Sequence, residues 1–298
     1  MQPVPPELLG RPFTPEQAVR VGISSRMLQG ARFHQVFRGV WRADSTEDTF
    51  DLRVRAALLV LPDDATLSHV SDLQWRGLDI GDTEPIHFST ASDVHVHRRG
   101  LVIHRRQDLL RSEFVRGVPL LPAARTFVDV ATLLGDRDLL RVGDWLVRWK
   151  HLDLLDLRAF VLRSHLDGVQ HARLIAPLVC ERVDSVRESD VRWIIFAADL
   201  PMPISNLPIF DAYGVRIAKG DLAYPLFKVL VEHDGWHHER DAAQRQRDHL
   251  RRERLEAEGW LVIVITSADF GNEHSIAWRI YSALKLRGYT GPRPRFGA

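Results

Sequence analysis

The sequence predicts a multidomain chain of α/β and α+β class, and three observations carry this. Residues 11–42 read as two short capped helices followed by an alternating hairpin. Residues 185–286 run helix, three-strand meander, helix, strand, helix, a compact α/β order. The 298 residues also exceed the about 150 that one typical domain takes. The expected division is 1–48, 49–182 and 183–292. With 45% apolar and 27% charged residues, such a chain buries about three quarters of its unfolded surface, which excludes disordered and fibrous classes.

Forty Lys plus Arg against 39 Asp plus Glu leave a net charge of +1, so affinity for polyanions must come from local clustering of charge. The single cysteine, Cys180, excludes an internal disulfide framework and a CxxC metal cage, as expected in a reducing compartment. The opening MQPVPPELLG has neither a basic nor an apolar leader region. The longest apolar runs, AALLVL and LVIVI, fall short of the about 20 residues of a membrane span. A cytoplasmic location and no membrane partner are therefore expected.

In the first segment, Thr14-Pro15-Glu16-Gln17 is a capping box with proline at the first helical position. Gly22 then breaks the helix before Ser24 and Ser25 offer a second cap. Residues 33–41 alternate around Arg38-Gly39, as in a small hairpin or wing. Arg11, Arg20, Arg26, Arg32, Arg38 and Arg42 face the single acid Glu16, a local charge of +5. This predicts a winged helix-turn-helix on duplex DNA, with Arg26, Arg32, Arg38 and Arg42 on phosphates. A capped helical hairpin with a solvated basic face carries the same signature.

The middle region is mixed. Residues 51–61 and 67–76 have helical spacing, 86–89, 94–97 and 101–104 read as short strands, and 123–134, 139–149 and 154–166 return to helix. Leu139, Val142, Leu146 and Trp149 form one stripe. The strand pair carries His95, His97, Arg98, Arg99, His104, Arg105 and Arg106 with no acid among them. Such a strip contacts phosphates or is an ordinary solvated face. Its alternating histidines lack the carboxylate or thiolate partner that would point to a metal.

The third region opens with a helix at 185–198, stopped by Pro201. Strands at 207–211 and 215–223 flank an Asp-Ala-Tyr-Gly turn, and a third runs 227–232. A helix at 240–258 ends at Gly259, a strand covers 260–266, and a helix closes at 275–286. The middle helix holds six arginines and six acids when Glu239 is included, so it reads mostly as a solvated face laced by i,i+4 pairs.

Chemistry is concentrated in Asp221, Glu232 and Asp234. If two strands pair around a turn near 225–227, residues 221 and 232 lie nearly opposite, about 5 Å apart on one face. Two carboxylates at that separation can share Mg²⁺ or Mn²⁺, and Glu188 on the preceding helix could complete the cluster. Strand-end acids in water give the same spacing. His233, His237 and His238 could alternatively hold Zn²⁺, though oxygen ligands dominate the neighbourhood.

Glu188-x-x-x-Arg192, Gly220-Asp221-Leu222-Ala223-Tyr224-Pro225, Val231-Glu232-His233-Asp234-Gly235 with His237-His238, Asp248-x-x-Arg251 and Leu255 ahead of Gly259-Trp260 resemble the Vsr-like branch of the PD-(D/E)XK restriction-endonuclease-like superfamily. The N-terminal half is similar to AbiEi-type antitoxins in its capped Thr14 helix, Phe37-Arg38-Gly39-Val40, Leu67-Ser68-His69 and the run from Pro122 through Ala123-Ala124-Arg125-Thr126-Phe127-Val128 to Asp129. The resemblance implies a winged-helix reader fused to a restriction-endonuclease-like domain. It implies Asp221 and Glu232 as ligands of Mg²⁺ or Mn²⁺, Glu188 on the metal or its water, and His237 or His238 as the histidine beside it. Arg192, Trp236 and Arg251 join the expected DNA contacts, with Trp236 as a wedge in the base stack. Gly220 stands where the motif has proline, and Asp234 where the superfamily lysine would be.

Two functions follow. One is a metal-dependent DNA endonuclease in which a histidine supplies the missing lysine's electrostatic or base role. The other is an antitoxin-type DNA-binding regulator, with a toxin or regulatory partner and a catalytically silent nuclease-like domain. No residue separates RNA from DNA as the substrate.

Overall fold

The computed structural model describes residues 3–93, 98–234 and 242–296, with the main chain alone at 234, 242–245 and 248. It is mixed α/β, with sheets of two, five and four strands. Contacts divide it into two compact units: one runs to Leu133 and includes His165–Gly168, and the other takes Leu134–Ser164 and the chain from Val169 onward. The helices at 136–178, read from sequence as the end of a middle region, thus belong with the C-terminal sheet.

The first unit begins with a 3₁₀ turn at Pro6–Leu8 and two helices, α1 (Pro15–Arg20) and α2 (Ser25–Leu28). Thr14 caps α1 through a reciprocal box with Gln17, and Ser24 caps α2, each cap worth about 1 kcal/mol. The α2 helix is only one turn long. The hairpin of β1 (Phe33–Phe37) and β2 (Val40–Ala43) follows, turning at Gly39 with φ +85°. Leu8, Phe13, Ala18, Ile23, Leu28 and Phe33 make one small core. Phe13 also bridges to Trp41, fastening the hairpin to the helices.

Next come α3 (Phe50–Leu58), β3 (Thr66–Leu67), α4 (His69–Arg76), β4 (Ile86–Thr90), β5 (Leu101–Arg105), β6 (Glu113–Val115), β7 (Val118–Leu120) and α5 (Ala123–Val130). The sheet order is β5-β4-β3-β7-β6. Leu67, expected as helix, is strand, because it pairs with both Phe88 and Leu120. The β6–β7 hairpin was not legible, since Arg116 and Gly117 turn it in the left-handed region without an Asn-Gly or Asp-Gly signal. Trp75 is buried in this core and donates its indole N–H to the Val115 carbonyl at 2.9 Å. The expected strand at 94–97, with His95 and His97, lies outside the described residues.

The second unit contains α6 (Asp136–Arg148), α7 (Leu154–Arg163), α8 (Val169–Ile175), α9 (Val186–Ala197), β8 (Ile204–Phe210), β9 (Arg216–Tyr224), β10 (Val229–Asp234), α10 (Ala242–Ala257), β11 (Leu261–Thr266) and α11 (Glu273–Leu286). The meander β8–β9–β10 is antiparallel, and β11 pairs parallel with β10 across the α10 crossover. Alternation decides the layers. Val229 and Val231 of β10 pack with Ile194 and Ile195 of α9 and Ile276 and Ile280 of α11. Leu230 points the other way, to Leu255 of α10 and Trp260. The sheet is thus covered by helices on both faces.

Gly220 of β9 sits where a Cβ would lie 2.4 Å from Leu230 Cδ1 and 3.1 Å from Ile209 Cδ1. A side chain there would force those two side-chain ends to move. No helix among the described residues is long and apolar enough to cross a membrane.

Candidate carboxylate site

The antiparallel ladder of β9 and β10 pairs Tyr224 with Val229, Ala223 with Leu230 and Leu222 with Val231, where it ends. Continuing that register sets Asp221 opposite Glu232, on the face that carries Leu230 and α10. At this point a side chain takes over from the ladder: the His233 N–H donates to Asp221 Oδ2 at 3.0 Å. Burial raises the Asp221 pKa to about 6, against the hydrogen bond from His233 and with the help of the nearby Glu188 and Glu232 charges. An acid pushed up by burial, with like charges beside it, gains from a nearby cation.

Glu232 is already held by one cation. Arg251 of α10 forks onto it, Nη1 to Oε1 at 2.5 Å and Nη2 to Oε2 at 2.9 Å. The Glu232 side chain is 9% exposed, so a bidentate guanidinium is the partner that makes its burial tolerable. Arg251, expected as a DNA contact, is committed in this structure to the carboxylate.

Glu188 reaches the site from the first turn of α9. Ser185 caps that helix, accepting from Glu188 N at 3.2 Å. The Glu188 carboxylate accepts from Asp184 N at 3.0 Å, Ser185 Oγ at 3.1 Å and Asn206 Nδ2 at 2.7 Å. Burial raises its pKa, and those donors oppose the shift. Asn206 was missed from sequence. It lies in β8 with φ +50°, between the pairs Ser205–Leu222 and Leu207–Gly220, and thus beside Asp221. The Ser-x-x-Glu pattern at 185–188 was the available signal that Glu188 also serves the helix cap.

Arg192, another expected DNA contact, is 4% exposed. It donates to Asp144 Oδ2 at 2.7 Å, an oxygen that also accepts from Ser189 Oγ at 2.7 Å, while Asp144 Oδ1 accepts from Cys180 N at 2.8 Å. Beside it, the fully buried Asp190 gathers Arg137, Arg141 and Arg187. These pairs fix α6 against α9 and stand the acidic end of α9 at the sheet. Asp234 ends β10 opposite Thr266; Trp236, His237 and His238 lie outside the described residues.

As a donor set, Asp221 and Glu232 fit a hard divalent cation: facing carboxylates, one of them short of positive charge. Glu188 is near enough for its charge to act on Asp221, but the three carboxylates do not bring one oxygen each within 4.8 Å of one another. Among the described residues, however, the only three such groups with ligand atoms all within 4.8 Å of one another are histidines of the first unit.

In that unit Arg26 and Arg38 are exposed. Arg32 lies over the Phe33 ring at 5.5 Å, and Arg42 Nη1 donates to Thr46 O at 2.7 Å. A hollow of about 830 Å³ beside the hairpin turn is lined in part by Arg38, Arg98 and Arg99.

No family model matches the chain. The uncharacterized proteins MT2308 and Rv2248, from Mycobacterium tuberculosis strains CDC 1551 / Oshkosh and ATCC 25618 / H37Rv, are each 28% identical to it over 203 residues. The match covers 66% of this chain and 72% of each relative. Neither name carries an activity, so function has to be read from the residues.

Proposed function

We propose that this protein is a metal-dependent DNA endonuclease of Vsr-like type, working in the cytoplasm and placed on duplex DNA by a winged helix at its N-terminus. The observation that carries this reading is the facing pair Asp221 and Glu232, with the Asp221 pKa raised to about 6 by burial and neighbouring acids. Asp221 and Glu232 would hold Mg²⁺ or Mn²⁺, which when bound neutralises phosphate charge and supplies an acidified water. The His233 N–H fixes one Asp221 oxygen, and the three donors on Glu188 hold that acid in place. His237 or His238 retains from the sequence the role of proton acceptor. Exposed Arg26 and Arg38, with Arg98 and Arg99 around the hollow, supply phosphate contacts.

The Arg251 fork on Glu232 favours a second reading, an antitoxin-type regulator whose nuclease-like unit is silent because a guanidinium occupies the metal's place. Cleavage of supercoiled plasmid and mismatched oligonucleotides with Mg²⁺ or Mn²⁺, wild type against Asp221→Ala, separates the two. Nicking lost in the variant supports the enzyme. DNA binding with equal silence in both proteins supports the regulator.

A further inference from the structure

Three histidines from separate elements meet in the first unit. His69 opens α4, His87 lies on β4 and His104 on β5. One ring nitrogen from each lies within 4.8 Å of the others. His87 Nδ1 is 3.0 Å from His104 Nε2, and the His69 ring stacks on His104 at 3.7 Å. The parallel register of β4 and β5 sets Ser89 beside His104 and Phe88 beside Ile103. His69 is brought to them at φ +53°, a conformation uncommon for residues with a side chain.

We propose that His69, His87 and His104 form a binding site for a single Zn²⁺ or similar transition-metal ion. Tetrahedral Zn²⁺ takes imidazole nitrogens at about 2.0–2.1 Å, which separates ligand nitrogens by about 3.3 Å; the His87–His104 pair is already near that spacing. The rings share a hydrogen bond and a stack as they stand, and the ion would replace that bond by rotation about χ2, a broad torsion in histidine.

Burial favours the neutral form of all three rings. The charged groups acting on the rings are Arg106 and Arg125, both paired with Asp129 at 3.1 and 3.0 Å. His69 is buried, whereas His87 and His104 are half-buried and leave the ion a way in. The donor set is all imidazole, which suits Zn²⁺, Co²⁺ or Ni²⁺ and rejects Mg²⁺. This site is therefore chemically distinct from the carboxylates of the second unit and does not depend on the nuclease reading.

The test uses the full chain stripped with chelator, then titrated with Zn²⁺ and separately with Co²⁺. The expected result is one equivalent retained through dialysis, visible bands of low-symmetry cobalt, and no displacement by millimolar Mg²⁺. His87→Gln and His104→Gln should each weaken binding at least tenfold, while His34→Gln, at an exposed histidine paired with Asp44, leaves it unchanged. If a variant fails to fold, the wild-type titration still decides. A wild type that retains no ion, or folded variants that retain it as well as wild type, would overturn the proposal.

Discussion

Arg251 grips both oxygens of Glu232, at 2.5 and 2.9 Å, from α10, the helix that crosses from β10 to β11. A guanidinium and a divalent ion compete for the same lone pairs. Arg251→Gln should therefore lower stability without metal by about 1–2 kcal/mol, a value discounted for its partly exposed side chain. It should also tighten Mn²⁺ binding several-fold. Calorimetric titration of both proteins, with melting curves with and without Mn²⁺, measures the two effects; unchanged Mn²⁺ affinity would separate the fork from the metal.

Asp221 carries a pH signature. Its folded pKa of about 6 exceeds the ordinary aspartate value of 3.8, so the folded state binds the proton more tightly. The cost is fully present above pH 6 and disappears as pH falls below 3.8. Asp221→Asn should be about 1–2 kcal/mol more stable than wild type at pH 7.5 and nearly equal at pH 4, by urea denaturation without metal. Equal stability at both pH values would contradict the raised pKa.

Two arginines expected on DNA should part company. Arg192→Ala should cost about 3–5 kcal/mol because it leaves Asp144 charged and buried. Arg38→Ala should leave stability within about 0.5 kcal/mol and reduce the slope of log affinity against log salt by about 1. Fluorescence anisotropy on duplex DNA at several salt concentrations, beside thermal melts, checks both.

Gly220→Ala should destabilise the second unit by about 1–3 kcal/mol, since its methyl would meet Leu230 and Ile209 in a filled core. A melting temperature equal to wild type would show that those side chains can withdraw.

Local signals made the elements legible. The Thr14 box, the Gly22 break and the Arg38-Gly39 turn predicted α1, α2 and the first hairpin, and the turn near 225–227 predicted the antiparallel pairing of β9 with β10. What stayed hidden depends on long-range partners. Arg192 reads as a surface cation until Asp144, 48 residues earlier, is folded beneath it. Asn206 carries no motif and matters only because β8 places it beside Asp221. His69, His87 and His104 have no ligand spacing at all; strand pairing creates their proximity. The short β3 was misread because two cross-strand neighbours outweighed the helical periodicity that continues into α4.

The alternation of Val229, Leu230 and Val231 between the two faces of β10 also bears on how such a chain can change its length. One residue gained or lost within β10 ahead of Glu232 would turn that carboxylate toward Ile194, Ile276 and the rest of the apolar layer, and would bring Val231 or His233 to Arg251. Two residues would restore the faces. Insertions in this strand should therefore be tolerated by parity, a constraint that the turn at 211–215 between β8 and β9, held by Tyr213 N and Val215 N donating to Asp211 Oδ1, does not share.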